Sequence, residues 1–199
     1  MKAIVYTKYG GPEVLQLQEV EKPIPKDDEV LIRNYAVSLN DWDFGLLRGD
    51  FINRLINGLR KPKRKILGSD VAGTVEAVGK TVTRFKIGDD VYGDLSGRWG
   101  GFAEYCCAPE KSFALKPATM SFAEAAAIPQ AGMLAVQGLI DKGKIQQGMK
   151  LLINGAGGGV GTFAVQIARL YGVQVTGVDR TSKLPMLLSI GFDHVVDYT

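Results

Sequence analysis

Asn154-Gly155-Ala156-Gly157-Gly158-Gly159-Val160-Gly161 lies between a short apolar run, Lys150 to Asn154, and a stretch of helical periodicity that ends at Gly172. A glycine-rich strand-to-helix turn lets backbone N–H groups approach a phosphate without Cβ clashes, and the helix N-terminus adds unpaired donors and a partial positive charge. Phe163, Ala164, Ile167, Leu170 and Tyr171 repeat at helical spacing, and Gln174 to Val178 reads as a second strand. Asp179 ends that strand 18 residues beyond Gly161, close to the offset of about 20 at which a carboxylate meets an adenosine ribose. The stretch therefore predicts a β-α-β dinucleotide unit, with Gly157, Gly158, Gly159, Val160 and Gly161 around the pyrophosphate. The competing reading is an α/β unit whose glycines serve only close packing. Ala156 stands where the commoner fingerprint has its first glycine.

Working outward, Leu184 to Ser189 is a short helix candidate with Pro185 in its first turn, Gly191 stops it, and His194 to Asp197 reads as a third strand. Upstream, Ser121-Phe122-Ala123-Glu124 is a capping box opening a helical stretch over 121–140 that Pro129 interrupts. From Met1 to about Leu115 the texture changes to short strands punctuated by Gly and Pro: Ala3 to Tyr6, Glu29 to Leu39, Val71 to Val78, Asp90 to Tyr92, Ala103 to Ala108 and Phe113 to Leu115. That spacing favours an antiparallel, barrel-like domain. The chain divides on this basis into residues 1–120 and 121–199.

The 199 residues are 46% hydrophobic and 23% charged with a net charge of +3, an ordinary globular balance that excludes disorder and gives no footprint for nucleic acid. Arg60, Lys61, Lys63, Arg64 and Lys65 cluster locally, which reads as a solvated loop rather than a phosphate or partner site. Cys106 and Cys107 are adjacent, a spacing that makes neither a zinc site nor a disulfide framework. With no secretory segment and no membrane-spanning run, a cytoplasmic protein with no membrane partner is expected.

Taken together, these residues resemble the medium-chain dehydrogenase/reductase superfamily in its zinc-free quinone oxidoreductase-like branch. The resemblance rests on Gly10-Gly11-Pro12-Glu13, Ser38-Leu39-Asn40-Asp41-Trp42-Asp43 with Leu47-Arg48-Gly49, and Leu67-Gly68-Ser69-Asp70-Val71-Ala72-Gly73-Thr74-Val75. It continues through Phe85-Lys86-Ile87-Gly88-Asp89-Asp90-Val91-Tyr92-Gly93, the nucleotide turn, and Gly191-Phe192-Asp193-His194-Val195-Val196-Asp197-Tyr198. It implies an α/β plus β fold: an N-terminal GroES-like β-barrel catalytic domain followed by a Rossmann doubly wound parallel sheet, with substrate in the cleft between them. Thr199 follows the third strand directly, so only the first half of that sheet is expected. On the same reading the chain is truncated, its first Rossmann strand becomes an open edge, and a homodimer or association through that edge is the implied self-contact.

By motif, the places where zinc-dependent members carry ligands hold Asn40, Ser69 and Ala131, and His194 is the single histidine, so no metal is expected. The resemblance then implies hydride transfer from a nicotinamide cofactor to a quinone or α,β-unsaturated carbonyl, whose developing oxyanion needs a donor. Asn40 is the catalytic candidate. Asp43 and Arg48 share its motif, where a loop anchor or ion pair competes with a catalytic role. Leu134 replaces a small polar residue common near the nicotinamide. For the cofactor, Asp179 favours the free ribose of NAD(H), whereas Arg180, Ser182 and Lys183 suit a 2′-phosphate. The resemblance, which also brings Tyr198 to the adenine and phosphate pocket, favours NADP(H). The alternative function is a non-catalytic fragment acting as a nucleotide-binding or protein-interaction module.

Overall fold

The computed structural model describes all 199 residues, which form two compact units, Met1–Pro129 and Gln130–Thr199. In the first, β1 (Lys2–Val5) pairs antiparallel with β2 (Gln16–Glu19). A second, five-stranded antiparallel sheet contains β3 (Glu29–Ser38), β4 (Asp70–Val78), β5 (Asp90–Asp94), β6 (Tyr105–Pro109) and β7 (Phe113–Leu115), in the order β6-β3-β4-β5-β7. Alternation fills its interior: Val30, Ile32, Val71, Val75, Val91, Cys106, Ala108 and Phe113 share one core. Single bridges, Ala3 to Ala103 and Val5 to Ile66, tie the two-stranded sheet to the rest of the unit. This is the mostly antiparallel domain expected from the sequence.

Two helices interrupt the strands, α1 (Asp41–Arg48) and α2 (Phe51–Asn57). Leu46 and Leu47 of α1 are buried with Tyr6, Val14, Leu67 and Trp99. Trp99 adopts φ 58°, and its buried indole N–H has no acceptor. Helix α3 (Phe122–Ala126) opens with the expected capping box: the Ser121 N–H donates to Glu124 Oε2 at 2.8 Å, and the Glu124 N–H donates to Ser121 Oγ at 3.2 Å. It packs on this unit's sheet, Ala125 and Ala126 against Ala72, with Phe122 stacked on Tyr35 at 4.7 Å between ring centroids. As expected, the helical stretch is interrupted just before Pro129, at residues 127–128, and Pro129 begins the next helix, α4 (Pro129–Val136), whose first turn needs no N–H from it. That helix runs on into a π-helical stretch, Gln137–Lys142.

The second unit is a three-stranded parallel sheet of β8 (Lys150–Asn154), β9 (Gln174–Asp179) and β10 (His194–Asp197) in the order β10-β9-β8. The crossovers are α5 (Gly159–Leu170) and α6 (Leu184–Ile190). Ala164, Val165 and Ala168 of α5 pack with Val175, Leu187 and Phe192, the buried stripe that the helical periodicity encodes. This is a partial Rossmann-like sheet with β8 at its edge, where Leu152 is exposed.

Candidate functional site

Parallel pairing brings the C-terminal ends of β8, β9 and β10 to one side of the second unit, Asn154 opposite Val178 and Asp179 opposite Asp197. The glycine turn, residues 180–183 and Tyr198 therefore gather at one sheet edge, the place where open α/β sheets bind ligands. Gly155, at φ 72°, makes the turn, and the N–H groups of Gly155 and Ala156 are tied to Val178 O at 3.0 and 3.1 Å. At Gly161 a Cβ would collide with the Ala156 carbonyl, so only glycine lets the helix start this close to the strand. The commoner first glycine is dispensable here because the Ala156 methyl is wholly buried in the core.

Helix α5 has no side-chain cap. The N–H groups of Gly159, Val160 and Gly161 have no acceptor in their own helix. At Gly158 a Cβ would meet only Gly155 O at 3.3 Å, and at Gly159 only the Ala131 methyl at 3.4 Å. An uncapped twelve-residue helix with three donors unpaired within it and bare glycines at its mouth is a cradle that fits a pyrophosphate.

Asp179 is buried, 3% exposed. Its Oδ2 accepts the Gly157 N–H at 2.7 Å and its Oδ1 the Arg180 N–H at 2.8 Å, and these two donors hold its carboxyl below the ordinary carboxylate value. Lys183 Nζ donates to Gly157 O at 3.1 Å and lies 3.8 Å from Asp179 Oδ2. Asp179 and Lys183 thus brace the turn, while Arg180, Ser182 and Tyr198 are exposed at its rim. Thr181, which the sequence reading passed over, links β9 to β10 by donating from Oγ1 to Asp197 Oδ2 at 2.6 Å. Its signal was the hydroxyl in the first turn after an acid-ended strand.

In the first unit, Asn40 precedes α1 with an extended backbone. Its amide Nδ2 donates to Ser69 Oγ and Asp70 Oδ2, both at 3.1 Å, and Asp70 Oδ2 also accepts from Ser38 Oγ at 3.3 Å. Asp70 accepts only, so it fixes the amide orientation. Asn40 and Ser69, 29 residues apart in sequence, are therefore adjacent. Asp43 is buried, 3% exposed: Oδ2 accepts the Asn40 N–H and Oδ1 the Gly68 N–H, each at 3.0 Å. Burial pushes its carboxyl above the ordinary value, with these two N–H donors pulling the other way. The carboxylate fastens the loop before β4 to the start of α1, and Arg48 has no ion pair with it. Asp70, which accepts from the Asn40 amide, and Ser38, which donates to Asp70, were not singled out from sequence, although both sit in the quoted motifs.

Two family models match the chain: the alcohol dehydrogenase GroES-like domain over residues 26–118 and zinc-binding dehydrogenase over residues 159–199. Among curated proteins, the chain is 41% identical to the 2-methylene-furan-3-one reductase of Solanum lycopersicum, aligning over all of this chain and 52% of that protein. It is 37% identical to the NADPH-dependent alkenal/one oxidoreductase, chloroplastic, of Arabidopsis thaliana, over all of this chain and 53% of that one. Among solved structures, the Escherichia coli quinone oxidoreductase complexed with NADPH superposes with a TM-score of 0.87 at 30% identity, covering all of this chain and 59% of that chain. The chain spans about half the length of the curated relatives it matches.

Proposed function

Because the chain belongs to the medium-chain dehydrogenase/reductase superfamily, we propose that it serves an NADP(H)-dependent oxidoreductase acting on a quinone or an α,β-unsaturated carbonyl. The observation that carries this reading is the trio of N–H groups on Gly159, Val160 and Gly161, unpaired within their helix, at the sheet edge where Arg180, Ser182 and Tyr198 also lie. When bound, the cofactor supplies hydride. The chain's own residues bind its phosphates: the helix mouth takes the pyrophosphate, and the Arg180 guanidinium and Ser182 hydroxyl take a 2′-phosphate. Asp179 does not oppose this, because both its oxygens already accept N–H groups and Lys183 lies beside it. A carboxylate so engaged is a poor partner for a free ribose diol, which supports NADP(H) over NAD(H).

On the substrate side, the Asn40 amide proton that now meets Ser69 Oγ transfers its hydrogen bond to the substrate oxygen, stabilising the negative charge that develops there. Asp43 acts through Asn40 as a positioning residue, and water supplies the final proton. Zinc does not suit this site, since Asn40 and Ser69 offer an amide and a hydroxyl in place of thiolate or imidazole ligands. The test is NADPH oxidation with a benzoquinone and with a short enone, comparing wild type with Asn40→Ala. One lost oxyanion donor should lower turnover by about a hundredfold with KM for NADPH unchanged, and full turnover in Asn40→Ala would remove the amide from the reaction.

A further inference from the structure

Helix α2 and the run that follows it take no part in the reaction proposed above, yet their arrangement is the reverse of an ordinary surface helix. Its polar residues face the protein: the fully buried Asn57 donates from Nδ2 to Tyr6 Oη at 2.7 Å and accepts the Arg64 N–H at 3.0 Å, and Arg54 Nε donates to Gly49 O at 2.6 Å. Its apolar residues face outward, with Phe51, Ile52, Leu55, Ile56 and then Leu59 between 46% and 75% exposed. Phe51, Ile52, Leu55 and Ile56, spaced i, i+1, i+4 and i+5, lie on one face of the helix, and Leu59 follows two residues past its end.

Beside this stripe stands unneutralised positive charge. Residues 51–65 contain six cations and no carboxylate, although the whole chain nets only +3, so the remainder is net acidic. Arg54 and Arg64 are engaged over the rings of Tyr9 and Trp99, but Arg60, Lys61, Lys63 and Lys65 are exposed and paired with no carboxylate. From sequence the run reads as a solvated loop; the outward stripe is visible only in the structure.

We propose that α2 and residues 58–65 dock the chain on the surface of an anionic phospholipid bilayer. The stripe enters the headgroup and acyl boundary, and the four free cations meet lipid phosphates, the two ingredients of interfacial binding. Docking is peripheral, since no helix is long and apolar enough to cross a membrane. Charge complementarity selects this occupant over a second copy of the chain, whose identical patch would bring like charges together.

The test is cosedimentation of the full chain with vesicles of phosphatidylcholine mixed with phosphatidylglycerol, and with phosphatidylcholine alone. Binding is expected to the mixed vesicles only, weakening with salt, and falling about fivefold for each cation removed. The variant R60Q/K61Q/K63Q/K65Q should therefore lose at least a hundredfold, and Phe51→Ser with Ile52→Ser about tenfold or more. Unchanged circular dichroism and NADPH affinity would show that both variants fold. No binding to mixed vesicles, equal binding to neutral ones, or full binding by the glutamine variant overturns the proposal. So does a concentration-dependent dimer on gel filtration that the serine variant converts to monomer without any lipid binding, which would assign the stripe to a second copy.

Discussion

Asp179 Oδ2 accepts the Gly157 N–H at 2.7 Å, so the carboxylate that ends β9 is fastened to the glycine turn that follows β8. Two neighbouring parallel strands are thereby locked at the ends that carry the glycine turn, by a side chain that sequence spacing alone assigns to a ribose.

The lock should depend on ionisation. The N–H groups of Arg180 and Gly157 depress the Asp179 pKa, so its contribution is complete above the unfolded value of 3.8 and is lost as pH falls through the lower folded value. In Asp179→Asn one N–H loses its acceptor. Amide exchange at Gly157 should quicken several-fold at neutral pH, and the difference from wild type should shrink below about pH 3.8. A difference independent of pH across that range would mean that the carboxylate charge does not hold the turn.

Asp43 should behave in the opposite sense. Asn at this position offers one acceptor to two buried N–H groups, those of Asn40 and Gly68, at a cost of roughly 1–3 kcal/mol. Because burial raises the folded pKa above 3.8, the wild-type contribution is greatest below that value and declines as pH rises through the raised one. Urea unfolding of wild type and Asp43→Asn should show a stability gap that narrows with rising pH over that window; a gap that widens would reverse the assignment.

The glycines of the turn should separate into two roles. Gly161→Ala drives a methyl into the Ala156 carbonyl and should destabilise the second unit by about 1–3 kcal/mol, visible as a lowered thermal midpoint. Gly159→Val has room, its nearest neighbour being the Ala131 methyl at 3.4 Å, so the fold should survive while a branched side chain at the helix mouth lowers NADPH affinity at least tenfold. Normal NADPH binding by Gly159→Val would remove the pyrophosphate from this turn.

Much of this was legible in the sequence because local rules and tertiary packing agree there. Strands β8 and β10 occupy the predicted residues, α5 follows its apolar repeat, and the Ser121–Glu124 box caps α3 as read. Strand β2 was missed because Gln16–Glu19 are all exposed and give no alternation. Helices α1 and α2 were missed for a related reason: α1 is capped by Asn40 and Asp43, whose residues read as chemistry, and α2 turns its polar face inward. At the candidate site, the sequence singled out Asn40, Asp43, Asp179 and Lys183, and placed Ser69 beside Asn40 by motif, but it did not give the pattern of their hydrogen bonds. Apart from the local Asn40–Asp43 and Asp179–Arg180 pairs, their pairings span 22 to 30 residues, which no local spacing encodes.

The most direct test of the nucleotide assignment is a parallel titration of wild type and Arg180→Ala with NADPH and NADH, followed by nicotinamide fluorescence. With Arg180 on the 2′-phosphate, wild type prefers NADPH, and the variant loses roughly ten- to a hundredfold in NADPH affinity while NADH changes less than about twofold. Equal losses for both cofactors, or a wild-type preference for NADH, would contradict the account.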